Sequence, residues 1–417
     1  MIKFCLFFIV FFLGFLPLSK AKELEINSEF SILTRIYPID QLPYIVDENL
    51  DLFGLLEIKY KFNDNIRFYA RERLLIDPLQ RSRNRYEPLD FYLDFIAETF
   101  DFRFGQMVES FAIVDTFNPV DILNRRDPQF NFYDPAKLGD LMTRLRLFLP
   151  ESDTLTNNTV SFYFLPLALD TPLPANNSRF RFSPTGGIGI LDEDNSIHPS
   201  NYANRLGYAA KLSTVLGPAD FFALYYGGPS RIPSFFLDAM GFLNPVYYRI
   251  DLAGGGFQWA IDKILLKGEL AYTWTDHNGL SFPYNAVVPD SYLQFVFGFD
   301  YTFEQTFFKE SITITLEYAG EGDHDTELTG LRPYKNDLII GLLWDVKDLS
   351  QTQFRANTSV DLGNGESLIQ LVIERKIWKE LKALLGGTIV VRETQEFTPW
   401  GIFPNNSSIN FGFSYAL

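Results

Sequence analysis

Past residue 21 the chain holds no apolar run of about 18 residues, the length a membrane helix needs, yet segments of about ten residues alternate apolar and polar side chains throughout. A period of two sends successive side chains to opposite faces of a strand, so each segment has one face for lipid and one for water. Leu24, Ile26, Ser28, Phe30 and Ile32 share one face, and Glu25, Asn27, Glu29 and Ser31 the other. The same division recurs in Leu52, Gly54, Leu56, Ile58 and Tyr60 against Asp51, Glu57, Lys59 and Lys61, and in Ile312, Ile314, Leu316 and Tyr318 against Thr313, Thr315 and Glu317. The pattern predicts an all-β fold, specifically a transmembrane antiparallel up-and-down β-barrel. A chain that crosses lipid without helices must close its sheet to satisfy every backbone group.

Segments begin near residues 24, 50, 65, 89, 101, 141, 158, 204, 219, 246, 263, 291, 310, 336, 352, 366, 381 and 408, giving about 18 strands, with 16 the next choice. Their connections alternate short and long. Tight turns at Asn63-Asp64, Phe100-Asp101, Gly217-Pro218, Asp262-Lys263 and Lys347-Asp348 interleave with long polar loops, among them 38 to 49, 110 to 140 and 169 to 203. A middling turn at 150 to 157 and a tight Asn364-Gly365 hairpin depart from the rule. Short turns at one end and long loops at the other belong to an outer-membrane barrel, whereas a soluble sandwich has no reason to alternate them. Prolines fall in loops or turns, with Pro166 at a strand end, since proline cannot donate to a ladder. Gly254-Gly255-Gly256, inside a segment, marks a bend or a close approach in the wall.

The N-terminus reads as an export signal: Lys3, an apolar run from Phe4 to Leu18, and Ser19-Lys20-Ala21 ahead of cleavage after Ala21. Residues 1 to 21 are then the signal and 22 to 417 the barrel. The single Cys5 lies in the signal, so the exported chain has no thiol. Loss of Lys3 and Lys20 takes the net charge from -16 to -18 (-16 minus 2), which excludes a nucleic-acid binder on electrostatic grounds.

One stretch, Phe102 to Asp127, departs from the pattern. It starts as a strand, with Asp101 and Arg103 inward and Phe102 and Phe104 outward, then becomes polar and proline-bearing after Val108. Asn118-Pro119 sets a turn, and Asp121, Asp127 and Asp134 alternate with Arg125 and Arg126 along a loop with no continuous apolar face. Gly105, Asp115, Asn118, Pro119 and Asp121 resemble a motif of several poorly characterised bacterial outer-membrane barrel families: a strand ending in Gly, then Trp-Gly, then Asp, then Asn-Pro-x-Asp. Phe111 and Ala112 stand where those families have Trp and Gly, and Gln106 lies one place early. The resemblance implies a porin-like barrel. By count this is the third long loop, expected to fold inward and narrow a pore. The last segment, with Ile409, Phe411, Phe413, Tyr415 and Leu417 on one face, is similar to the C-terminal strand read by barrel-assembly machinery, which usually ends in Phe or Trp.

Charges crowd the neighbouring inner faces. Parity assigns Arg67, Arg71 and Arg73 to the lumen from the third strand, Asp90, Asp94 and Glu98 from the fourth, Arg103 from the fifth, and Arg144 and Arg146 from the sixth. With Asp115, Asn118, Asp121, Arg125, Arg126 and Asp127 of the loop they form the expected constriction, a cationic strip beside an acidic one that sets ion preference. The alternative is salt bridging that folds the loop and holds the wall.

Catalysis finds little support. His198, His277 and His324 fall in long loops, away from a wall serine or carboxylate. Glu321, Asp323, Asp325 and Glu327 around His324 match no metal template, Asp192-Glu193-Asp194 lack a partner for glycosidase chemistry, and Gly186-Gly187-Ile188-Gly189 lacks a phosphate-loop lysine. Trp259, Trp274, Trp344, Trp378 and Trp400 suit interfacial girdles. The expectation is a non-enzymatic bacterial outer-membrane channel for small hydrophilic solutes, without cofactor or metal. It sits in outer-membrane lipid, is inserted by barrel-assembly machinery, and is open to oligomerisation. The alternative is a structural or surface-interaction barrel with a closed lumen.

Overall fold

The structure is a computed structural model that describes residues 23–38, 47–129, 135–174, 178–180, 190–191, 195–304, 310–322, 332, 334–363, 365–391 and 406–417. Eighteen strands form one antiparallel sheet. In chain order they are β1 (Glu23–Ile36), β2 (Glu48–Lys61), β3 (Ile66–Ile76), β4 (Arg85–Ile96), β5 (Phe100–Met107), β6 (Asp140–Phe148), β7 (Leu155–Leu165), β8 (Gly207–Leu216) and β9 (Ala219–Pro229). The second half comprises β10 (Arg249–Ile261), β11 (Ile264–Asp276), β12 (Tyr292–Glu304), β13 (Ser311–Gly322), β14 (Asn336–Asp345), β15 (Gln353–Asp361), β16 (Ser367–Trp378), β17 (Leu381–Val391) and β18 (Ser408–Ala416). Each strand pairs with the next, and β1 pairs with both β2 and β18, with Ile36 opposite Ile409. The sheet closes, and no edge is left to template association.

Register carries the alternation round the ring. Ile26, Phe30 and Ile32 of β1, Phe297, Phe299 and Phe303 of β12, and Phe411 and Phe413 of β18 lie exposed on the outer face. An apolar belt of this kind is unfavourable in water and suited to lipid. Trp259 and Trp378 near the short-turn end and Trp274 near the long-loop end are likewise exposed on it. Trp400 lies outside the described residues. Of the two irregular connections, β6 and β7 are joined across 149–154, and β15 and β16 are separated by only 362–366, of which Asn364 lies outside the described residues.

The fourth strand begins earlier than its periodicity suggests. Pro88 reads as a loop residue, yet it lies inside β4, where the register with β3 shifts between Arg71 and Glu72. The bulge accommodates a proline without breaking the ladder, and it adds Arg85 and Glu87, opposite Leu75 and Arg73, to the inner wall. At its other end β4 stops at Ile96, so Glu98, expected on the inner face, sits exposed in the turn.

Inside the long-loop half, the barrel is filled as a protein core. The segment after β5 contributes Phe111, Val120 and Leu123, which pack with Met142, Tyr163, Phe222, Leu224 and Leu252 of the wall. A second cluster joins Val114 to Val296, Ala319, Ile339 and Leu368 of the wall, and to Leu173, Phe180 and Leu243 of the other long loops. The short-turn half is different. Inward side chains such as Glu29, Lys59, Arg67, Arg355 and Asn357 remain exposed there.

Candidate functional site

The site starts where β5 ends. Gly105 adopts φ +142°, and a Cβ there would lie 2.2 Å from the Phe91 carbonyl oxygen, so only glycine lets the strand press against β4 at this point. The next residues leave the wall. Val108 N–H donates to Asp90 (2.8 Å), Glu109 N–H to Asn124 (2.7 Å) and Phe111 N–H to Asp121 (3.2 Å). The chain then reaches the far side: Ile113 N–H donates to Glu269 Oε1 of β11 (2.7 Å) and Asp115 N–H to Glu317 Oε1 of β13 (3.0 Å). From β5 to β13 is eight strands (13 minus 5) in a ring of eighteen, so the loop crosses nearly a full diameter. Asp121 N–H donates to the Asn118 carbonyl (3.1 Å), closing the turn at Asn118-Pro119. The return limb is held by Asn124, whose amide donates to the Met107 and Leu138 carbonyls (2.9 and 3.0 Å), and by the short ladder Arg126–Asp127 with Ala136–Lys137.

The loop charges pair where it meets the wall. Asp127, with no solvent exposure, binds Arg73 (3.0 Å) and Arg85. Asp121 receives Arg126 (2.8 Å) and Lys137 (2.5 Å), and Arg125 binds Asp140 of β6 (2.9 Å). Burial pushes the Lys137 amine below its usual range, against the opposing pull of Asp121. Asp134 lies outside the described residues. Asp115 meets Lys267 Nζ, which also contacts Asp300 (2.8 Å) and Glu317 (3.0 Å).

On the wall beside the loop, Arg71 pairs with Asp90 (2.7 Å), Arg73 with Glu87, and Arg103 with Asp94 in a two-pronged contact (2.6 and 3.0 Å). Arg103 also lies 3.9 Å from the centre of the Tyr92 ring. Arg144 bridges Asp101 (2.9 Å) and Glu109 (2.7 Å), while Arg146 reaches Asp101 at 3.7 Å. Arg71, Arg103 and Arg144 thus come together at the loop's base, Arg67 faces inward nearer the short-turn end, and Glu98 is apart from the cluster. Arg71 and Arg146 keep 32% and 34% of their side chains exposed, so these two cations stay partly in contact with water.

No family model matches the chain, and no curated protein matches it. Solved structures do. The OmpF of Salmonella typhi in complex with daunomycin matches over 94% of this chain and 97% of its own, at 9% identity and TM-score 0.46. A mutant of the porin of Rh. blastica matches over 95% and 100%, at 11% identity and TM-score 0.44. A loop-deletion form of OmpT, an outer membrane protein of Vibrio cholerae, matches over 95% and 99%, at 10% identity and TM-score 0.43.

Sequence reasoning did not assign Lys267, Glu269, Asp300 and Glu317, the landing ground of the loop. Parity puts all four on inner faces, but nothing local marks them as partners of a segment more than 150 residues away. Arg85 and Glu87 went unassigned for a different reason, the proline beside them. His198 accepts a place in a loop network, 3.1 Å from Asp170 and stacked on Tyr247, and His277 lies 3.2 Å from the Asn285 carbonyl. His324, Asp192-Glu193-Asp194 and Gly186 to Gly189 lie outside the described residues.

Proposed function

We propose that this chain is a porin-like channel of the bacterial outer membrane, passing small hydrophilic solutes passively and without a catalytic step. The observation that carries the reading is the two-faced wall: the outer face is an apolar belt, while the inner face of the short-turn half keeps polar and charged side chains exposed. Inner polarity under a lipid-facing surface is what a water-filled passage requires. The loop that crosses the lumen supplies the narrowing, and Arg71 and Arg146 are the cations at its margin. Insertion by barrel-assembly machinery, and association of several barrels, are parts of the same proposal.

A second reading has its own support. The long-loop half is packed with apolar side chains from several loops, as in a barrel whose lumen is closed and whose loops meet a partner. Liposome swelling separates the two. Reconstituted protein is expected to admit small sugars and amino acids with rates that fall steeply with solute size. Swelling no faster than in protein-free liposomes, for every solute, sinks the channel reading and leaves the second.

A further inference from the structure

We infer that Lys267 and Glu269 of β11 are positioning residues that hold the crossing loop against the far wall and so set the width of the passage; the second half of this statement rests on the channel reading above. Three observations place the loop on this wall, two of them at these residues. Glu269, 1% exposed, accepts from the backbone N–H of Ile113 (2.7 Å), and the backbone N–H groups of Val114 and Val120 of the same loop also bear on its carboxylate. An acceptor in this place satisfies a loop N–H that has left the sheet and cannot find water.

Lys267 is the second anchor. Its ammonium stands among Asp115 of the loop and Asp300 and Glu317 of the wall, and Glu317 also accepts from the Asp115 N–H. Three carboxylates share one cation. Without the ammonium, the two wall acids would face the carboxylate of Asp115 at close range, and repulsion would drive the loop off. Gly298 of β12 makes the arrangement possible: a Cβ there would lie 2.7 Å from Glu317 Cγ, in the gap between β11 and β13 that the lysine spans.

The third observation is shape. Val120, fully buried, sits over Gly254 of β10, where an added Cβ would come within 2.9 Å of Val120 Cγ1. The wall is thus relieved of a side chain where the loop lies on it, and the loop has one docked position.

The test uses Val120→Cys in the full chain, where residues 22 to 417 hold no other cysteine. Alkylation by a membrane-impermeant maleimide then reports loop release without reference to transport. Lys267→Met and Glu269→Ala are each expected to speed labelling by about tenfold or more, a shift of one decade in the opening equilibrium, while Glu269→Gln, which keeps an acceptor oxygen, stays close to the parent. Asp115→Asn, on an exposed side chain of the loop, gives the same direction of change without touching the barrel wall, which guards against a wall variant that fails to fold. In planar bilayers the released variants are expected to show larger and noisier unitary currents. Labelling at the parent rate in folded Lys267→Met, Glu269→Ala and Asp115→Asn overturns the inference. Accelerated labelling in proteins that never conduct supports the positioning role and removes the channel reading.

Discussion

The two halves of the lumen follow different rules. In the long-loop half, inward charges are buried and bound: Asp127 between two arginines, Arg83 between Asp51 and Asp77 (both 2.6 Å), and Arg332 on Glu321 (2.7 Å). In the short-turn half, Lys59 pairs with Glu57 (2.8 Å) and Lys382 with Glu374 (2.8 Å), but both lysines stay more than 40% exposed. The difference teaches that a charged inner wall is not one thing. Where loops cover it, each ion has been desolvated and depends on its partner; where water reaches it, the same pairs are nearly free to exchange partners. A residue's place along the barrel axis therefore decides whether a substitution acts on folding or, in the proposed channel, on what passes.

The comparison is tested most strongly at Asp127. Asp127→Ala removes a charge-assisted contact from each of Arg73 and Arg85, both largely buried, and leaves them Glu87 as their shared carboxylate; two such bonds at roughly 1.5–3 kcal/mol each make it the costliest of these changes. Urea titration of the folded form in detergent, followed by its heat-modifiable migration on gels, measures it. A loss no larger than that of a surface pair would mean that the seam is wet and the two halves alike. Next comes Gly254→Leu, whose Cβ would meet the Leu270 carbonyl at 2.6 Å as well as Val120. Overpacking of this kind costs about 1–3 kcal/mol. Part of that strain is relieved by lifting the loop, so unitary conductance is expected to rise. A variant with parental stability and conductance would show that the loop does not rest on β10.

How much of this was legible in the sequence follows the same division. Strand number and facing came from local alternation, because lipid outside and water inside act on every strand independently. The turn at Asn118-Pro119 and the end of the strand after Val108 were legible locally, and the inward course of the loop was expected from its place as the third long connection. Its landing site was not, since Glu269 lies 156 residues from Ile113 and Glu317 lies 202 from Asp115, and no local rule couples such positions. The burial of Asp121 and Asp127 was also hidden: an acid between arginines reads identically whether water or a second segment covers it. Pro88 concealed Arg85 and Glu87, because a bulge makes room for a residue that a regular ladder excludes.

The smallest effect on folding is expected where the inner wall is most exposed. Arg146 reaches Asp101 only at 3.7 Å and keeps a third of its side chain in water, so Arg146→Gln should cost about 0–1 kcal/mol. Arg67, on the same inner face and exposed, can be changed with it. The double variant Arg67→Gln, Arg146→Gln removes two positive charges from the short-turn half while leaving the buried pairs of Arg103 and Arg144 intact. In a salt gradient across a planar bilayer, its reversal potential should move toward that of a more cation-preferring pore, because fixed cations in a narrow lining raise the local anion concentration. The shift should shrink at high salt, where screening shortens the reach of each charge. Unaltered stability with an unaltered potential would mean that ions pass elsewhere, and the open half would then be a vestibule without control over what enters it.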